Sequence, residues 1–383
     1  MSFFAQTIAG LPATGFYAPD FLVEVNGAEL DPHASSDPNA ASKGDVLSIK
    51  VTMALDELTS AEIQLNNWDD KAVWFKYSDR PSPYPGDTVL VKLGYAGALR
   101  ALLHGELKSL APSFPATGSP TLRLGVLDFM DRLKHSRPGE DAVRQFANKQ
   151  YSEIARAVGE RHGLTVEAVD DGIVHAETLQ GNLDDAQFLQ VLARRAGYVC
   201  YMHTSPDSGE PVLRFAPPSD GEQAPVASEH ACTWGESLIS FEPTLTMGNQ
   251  VSQVTVRGWN LDTMEEIVGT ATAADLGGGS GSSGPDNAAS NRQDIVILSD
   301  VRSMEEANAL ALAQLRNRAD SYITARGEVI GTPELRPGDT MQIDGLGTRF
   351  SGNYFVTGVE HTLGSEGFRT RFDARRTREG TAA

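Results

Sequence analysis

The sequence predicts a mainly β protein with an α+β insertion: two related β-barrels separated by a small α+β domain. Three observations carry that prediction. Short runs of alternating apolar and polar residues fill the first and last thirds of the chain, punctuated by Pro and Gly clusters. Helical periodicity is confined to a central stretch and one later segment. A turn motif, Pro85-Gly86-Asp87-Thr88, returns as Pro337-Gly338-Asp339-Thr340.

The first barrel is expected over residues 1–135. Phe21-Leu22-Val23-Glu24-Val25 has strand composition, and the run from Leu47 to Met53 alternates with the two-residue period of a half-buried strand. Glu62 to Leu65, Thr88 to Leu93 and Thr121 to Val126 continue the series, broken by Pro81-Ser82-Pro83-Tyr84-Pro85-Gly86. Several short strands at this spacing indicate an antiparallel barrel or sandwich.

The α+β domain is expected over residues 136–235. Ser152 is placed to cap a helix carrying Ile154, Ala155 and Val158, with Gly163 ending it. A second helix starts near Asn182, where Asp184 and Asp185 suit the positive end of the helix dipole. It carries Phe188, Leu189 and Leu192 and stops at Gly197, before a strand from Tyr198 to Met202.

The second barrel is expected over residues 236–383, resuming with a strand from Val251 to Gly258. The stretch Gly277-Gly278-Gly279-Ser280-Gly281-Ser282-Ser283-Gly284 has linker composition, so residues 277–284 are expected to form a mobile loop. Ser303 and Glu306 have capping-box spacing, and Ala307, Leu310, Ala311 and Leu315 then recur at helical intervals.

The repeat supports homology between the barrels. In Pro-Gly-Asp, Pro fixes φ and Gly tolerates φ > 0, which makes a tight turn between strands. Each copy opens an apolar strand, Val89-Leu90-Val91 and Met341-Gln342-Ile343. Each is followed by a glycine in a strand-like run, Gly105 and Gly352, and then by an alternating strand beginning at Thr121 or Phe368.

Composition narrows the function. At 383 residues the chain exceeds the roughly 250–300 at which a single core stops growing. Its net charge of −19 disfavours sequence-specific nucleic-acid binding, because it repels a phosphate backbone. Nothing in Met1-Ser2-Phe3-Phe4-Ala5-Gln6 reads as a secretory signal, and no apolar run is long enough for a membrane-spanning helix. Cys200 and Cys232 are expected to be small buried residues, being too few for a disulfide framework.

No catalytic, cofactor-binding or metal-ligating residue is expected. No two of the 8 histidines have the i, i+4 spacing of a zinc site. The glycine-rich stretch lacks the Gly-Lys-Ser/Thr of a phosphate loop and does not fit Gly-x-Ser-x-Gly. The acidic pairs Asp69-Asp70, Asp170-Asp171, Asp184-Asp185, Glu265-Glu266 and Glu305-Glu306 read as caps and solvated faces. The one charged feature that suggests a partner is a basic C-terminal patch, Arg369, Arg371, Arg375, Arg376 and Arg378, set against Asp373 and Glu379.

From Ser303 to Arg376 the sequence resembles the C-terminal part of the late-control D proteins of contractile-tailed phages. The matching features are the Glu-Ala-rich helix, Pro333-Glu334-Leu335-Arg336-Pro337-Gly338-Asp339, the run from Phe350 to His361, and Gly367-Phe368-Arg369-Thr370-Arg371-Phe372. The pattern of Asp185, Phe188, Leu189, Leu192, Ala193, Ala196, Gly197 and Tyr198 resembles the same family and the related type VI secretion spike proteins. The resemblance implies two tail-tube-like barrels in a structural, non-enzymatic baseplate hub without a cofactor, similar to the trimeric hub beneath a T4-type tail tube. It implies a homotrimer under a ring of tail-tube protein, in contact with other baseplate proteins and without stable membrane insertion. Type VI spike proteins continue into an OB-fold and a needle, whereas this sequence stops at Ala383, so a separate spike protein is expected below. The alternatives are a tail-tip peptidoglycan hydrolase and a plain tail-tube protein.

Overall fold

The computed structural model describes residues 18–30, 44–136, 145–218, 230–260, 263–277, 281–298 and 301–380. Met1 to Gln6, read above for a signal, and residues 278–280 of the glycine-rich stretch lie outside them.

The first β unit comprises β1 (Pro19–Val25), the short β2 (Ala28–Glu29), β3 (Val46–Ala54) and β4 (Ser60–Asn66), a small hairpin of β5 (Trp68–Asp69) and β6 (Trp74–Phe75), then β7 (Thr88–Tyr95), β8 (Ala98–Ser113) and β9 (Thr121–Asp128). The alternation in sequence becomes alternation in space. Val89, Val91 and Leu93 of β7 are buried, as are Ile63 and Leu65 of β4. The main strands lie in the order β3-β4-β9-β8-β7-β1, and every neighbouring pair is antiparallel.

The middle domain runs from α1 (Met130–Lys134) through β10 (Gln145–Lys149), α2 (Tyr151–Arg161), β11 (Thr165–Ala168), β12 (His175–Leu179), α3 (Asp185–Ala196) and β13 (Val199–Thr204) to β14 (Pro211–Ala216). It has its own core, with Ile154 and Val158 of α2 and Phe188, Leu189 and Leu192 of α3 against Leu213 and Phe215. Gly159 lets α2 lie flush on β11, because a Cβ there would meet Val166 Cγ2 at 2.2 Å. The α3 start follows the sequence: Asp184 accepts from the Gln187 amide at 2.8 Å, and Gly197 ends the helix at φ +69°. The α2 start does not. Its N-cap is Gln150, and the Ser152 hydroxyl inside the helix donates to Asp170 at 2.8 Å.

The second β unit contains β15 (Ala231–Thr233) and β16 (Leu238–Leu245). A separate layer then intervenes: β17 (Gln253–Asn260), β18 (Glu265–Thr272), the single-turn α4 (Gly284–Asn287), β19 (Gln293–Ile297) and α5 (Met304–Ala319). The unit resumes with β20 (Ile323–Ile330), β21 (Thr340–Asp344), a short α6 (Gly347–Phe350), β22 (Gly352–Gly364) and β23 (Gly367–Arg376). In the separate layer α5 covers the β18-β17-β19 sheet around Val254, Val256, Leu310 and Leu315. Any Cβ at Gly269 would lie 2.3 Å from the Ala307 backbone, which is how closely helix and sheet approach.

Strands of the second unit are ordered β16-β20-β23-β22-β21-β15. Matched strand for strand, this is the first unit's arrangement, in the same chain order. Hydrogen bonds at the two Pro-Gly-Asp turns match as well. Gly86 donates to Leu107 O and Gly338 to Val356 O, each at 2.8 Å, while Leu107 and Val356 donate back to Asp87 O and Asp339 O, each at 2.9 Å. The two carboxylates also agree, Asp87 accepting from the Tyr84 amide and Asp339 from the Arg336 amide, each at 2.8 Å.

Two details depart from the expected repeat. Gly105 lies two positions before Leu107, but Gly352 lies four before Val356, so these glycines are not equivalent. Each answers a local need: a Cβ at Gly105 would stand 2.0 Å from Leu127 O, and Gly352 takes φ +132° beneath the Arg376 guanidinium. Moreover β1 pairs β7 antiparallel, whereas β15 pairs β21 parallel.

The two units form one sheet. Gly358–Leu363 of β22 pairs with Ala54–Ile49 of β3, giving 13 strands in all and a single shared core. Tyr95 of the first unit lies 5.8 Å from the Phe368 ring of the second and donates to Gly331 O at 2.8 Å.

The described part of the expected mobile loop is packed at Gly281, Ser283 and Gly284. Within it, Ser283 is completely buried and caps α4, accepting from the Asp286 amide at 3.1 Å. Gly281 lies against the Glu379 backbone so closely that a Cβ would sit 1.9 Å from Glu379 O. Glycine here permits close backbone approach rather than flexibility.

Candidate functional site

Alternation along β23 turns Phe368, Thr370, Phe372 and Ala374 inward. It sends the arginines of the basic patch to different fates. Arg371 lies on the outer face, 3.1 Å from Glu328 and 3.8 Å from Glu360. Arg369, two positions earlier on the same face, is partly exposed.

The other three hold the fold together. Arg375 pairs with Asp320 at 3.0 Å and lies 5.0 Å from the Phe355 ring. Arg376 donates to Ser351 O at 2.7 Å beside Tyr354. Arg378 donates to Gly281 O at 3.0 Å and Gly277 O at 2.9 Å, which ties the C-terminal tail to the glycine-rich stretch. Arg375, Arg376 and Arg378 are thus held by partners within the chain, and Arg371 is paired on the outer face, distinctions that composition does not record.

Arg371 belongs to a row of alternating charge across the joined sheet. Arg123 pairs with Glu62 at 3.2 Å, Glu62 stands opposite Lys50 in register, Lys50 pairs with Glu360 at 2.5 Å, and Arg371 links Glu360 to Glu328. These pairs are solvent-facing, each contributing roughly 0–1 kcal/mol, so they set the pattern of the surface more than its stability.

Two apolar patches are exposed. Val73, Trp74 and Phe114 surround the β5–β6 hairpin, where Phe75 stacks edge-on against Phe114 at 5.1 Å. Val73 sits at φ +51°, a strained conformation for a β-branched residue. The second patch is Trp259, Ile295 and Ile297 on the β17–β19 sheet.

The acidic pairs have structural partners. Asp184 caps α3. Asp185 is completely buried, 2.7 Å from both His162 Nε2 and Gln180 Nε2. Asp170 receives Arg156 and Ser152, Glu266 pairs with Arg257, and Asp69 accepts from the Lys71 amide at 2.9 Å. His361 is completely buried between Thr370 and Leu335 O, and burial pushes its pKa down to about 3, so it is a neutral core residue. Burial pushes the Cys200 thiol up to about 12, and Cys232 is buried too. Among the described residues there is no cluster of three His, Cys, Asp or Glu arranged to hold a metal ion.

One constellation escaped sequence reasoning. Arg336, just before the second Pro-Gly-Asp turn, reaches both other parts of the molecule: it donates to Ala101 O of β8 at 2.6 Å and to Thr204 O of β13 at 3.2 Å. Its only sequence signal is an arginine beside a turn, which does not reveal a three-way contact.

The fold is shared with solved tail proteins. The 43 kDa tail protein of prophage MuSo2 from Shewanella oneidensis superposes with a TM-score of 0.68 at 15% identity, covering 94% of this chain and 99% of that one. The tail protein from Neisseria meningitidis MC58 gives 0.67 at 13% identity, covering 94% and 97%. The E. coli c3393 protein, a type VI secretion component, gives 0.56 at 13% identity, covering 94% and 79%. No curated protein matches the sequence. Residues 33–365 match the family model described as the Alg8 N-terminal domain, and the chain belongs to that family.

Proposed function

We infer that this chain is a structural hub subunit in the baseplate of a contractile tail or injection system, acting as a homotrimer between a six-fold tail tube and a three-fold spike. The observation that carries the reading is the duplicated six-stranded unit: two such units per chain and three chains present six similar units around a ring. A trimer built in this way offers six-fold order on one side and three-fold order on the other. The fold held in common with phage tail proteins and a type VI secretion component supports it, as does the resemblance to late-control D proteins.

On this reading the partners are a tail-tube protein ring above, a separate spike protein below and other baseplate proteins. The chain is assembled in the cytoplasm into a virion or injection particle. Arg369, Arg371 and the two apolar patches are the surfaces offered to them. A sequence-specific nucleic-acid partner is disfavoured by the charge of −19. No helix among the described residues is long and apolar enough to cross a membrane.

Light scattering tests the reading. Three copies are expected in the assembled or spike-bound state, and a stable six-copy ring would identify a plain tube protein instead. Digestion of purified cell wall by the pure protein would identify a tail-tip hydrolase.

A further inference from the structure

A cavity of about 150 Å³ lies where the two β units and the middle domain meet, and Met53, Leu102 and Met202 form part of its apolar wall. Its polar lining comes from all three parts: Thr59 from the first unit, Tyr201, His203 and Arg214 from the middle domain, and Arg336 and Asp339 from the second unit. We propose that this junction cavity binds a small oxyanion, a phosphate or a carboxylate, clamped between the guanidinium groups of Arg214 and Arg336.

A guanidinium carries five N–H donors. Arg336 gives two groups to the carbonyls of Ala101 and Thr204, but its Nε is buried without an acceptor. An incompletely paired, largely buried cation is costly, and an anion in the cavity would offset its charge. Arg214 also lines the cavity and stands opposite Glu167 in register, with no ion pair among the described residues.

Two guanidinium groups face one carboxylate, and Asp339 is already engaged by the Arg336 backbone amide at 2.8 Å and lies 3.9 Å from His230. Burial lowers the pKa of His203, and the positive charge of Arg336 lowers it further, which keeps the imidazole neutral beside the cavity. Within the lining itself, guanidinium groups outnumber carboxylates, in a chain of charge −19. Planar guanidinium groups match two oxygens of a phosphate or carboxylate at once.

Gly338 takes φ +94°, and a Cβ there would lie 2.8 Å from the Tyr201 hydroxyl. The missing side chain brings that hydroxyl to the second Pro-Gly-Asp turn. At the matching Gly86 of the first unit nothing lies within 4 Å, so only the second turn is closed over by the middle domain.

The test is thermal unfolding of the full chain in inorganic phosphate, and separately in malonate, each against sodium chloride of equal ionic strength. For a millimolar site, ~20 mM anion is expected to raise Tm by roughly 3 °C through mass action. The anion that acts identifies the class of ligand. Arg214→Met, which leaves the Arg336 contacts to Ala101 and Thr204 in place, should abolish the rise. Calorimetric titration of phosphate and of malonate into the wild-type protein gives a second readout that does not depend on a variant folding. The proposal is overturned if neither anion exceeds chloride and titration shows no heat of binding, or if wild type and Arg214→Met respond alike.

Discussion

The imidazole of His175 lies face to face on the Tyr151 ring, centroids 3.8 Å apart and planes within 7°. Held flat in this way, His175 points Nδ1 at Glu306 of α5, 3.1 Å away, and Nε2 at Asp171, 3.6 Å away. Burial would lower its pKa, but the two carboxylates outweigh burial and raise it above the ordinary histidine value. His175 thereby joins the middle domain to α5, a clasp that its protonated form strengthens. Because the folded-state pKa is raised, the added stability is fully present below the ordinary value near 6.5 and fades as pH climbs through the raised one. Stability from denaturant melts should therefore fall across that interval, and His175→Gln should flatten the fall while costing ~1–2 kcal/mol at pH 6. An unchanged pH profile in the variant would show that another group sets it.

The two Pro-Gly-Asp turns predict an asymmetry. Gly86→Ala meets only backbone strain, about 1 kcal/mol, at its φ of +104°. Gly338→Ala meets similar strain and also the Tyr201 hydroxyl, so it should destabilise by at least ~1 kcal/mol more. Combining it with Tyr201→Phe should recover part of the excess, a coupling that a double-mutant cycle measures.

Arg336→Ala should be among the costliest single changes, about 2–4 kcal/mol. It removes the donors to Ala101 O and Thr204 O and leaves two carbonyls at a buried junction. Hydrogen exchange should show the loss first where β8 faces β13.

The arginines of β23 and the tail should divide by role. Changing Arg375, Arg376 and Arg378 jointly to Ser should cost roughly 2–5 kcal/mol in unfolding experiments, since it deletes an ion pair and several carbonyl contacts. Changing Arg369 and Arg371 jointly to Ser should leave stability within about 1 kcal/mol. That pair should instead slow association with acidic partners and weaken its salt dependence, as read by binding kinetics across ionic strength.

Much of this molecule was legible as sequence because the relevant physics is local. Alternation located β3, β4, β7 and β9, since side chains of a strand point to opposite faces whatever the strand pairs with. Gly197 marked the end of α3, and the start expected near Asn182 fell within a turn of the observed cap Asp184, because caps act within one turn. The Pro-Gly-Asp-Thr repeat announced a duplication that the strand order and turn hydrogen bonds bear out.

Other features depended on contacts between residues far apart in the chain, which no local period records. Only the tertiary structure joined the two units through β22 and β3, and brought Gly281 against Glu379 so that a linker-like stretch became anchored. It also set Arg375, Arg376 and Arg378 against Asp320, Ser351 and Gly281, and carried Arg336 to a junction of three parts. Local conformation is written in neighbouring residues. Which charges stay exposed, and which glycines serve close approach rather than motion, is decided when distant strands meet.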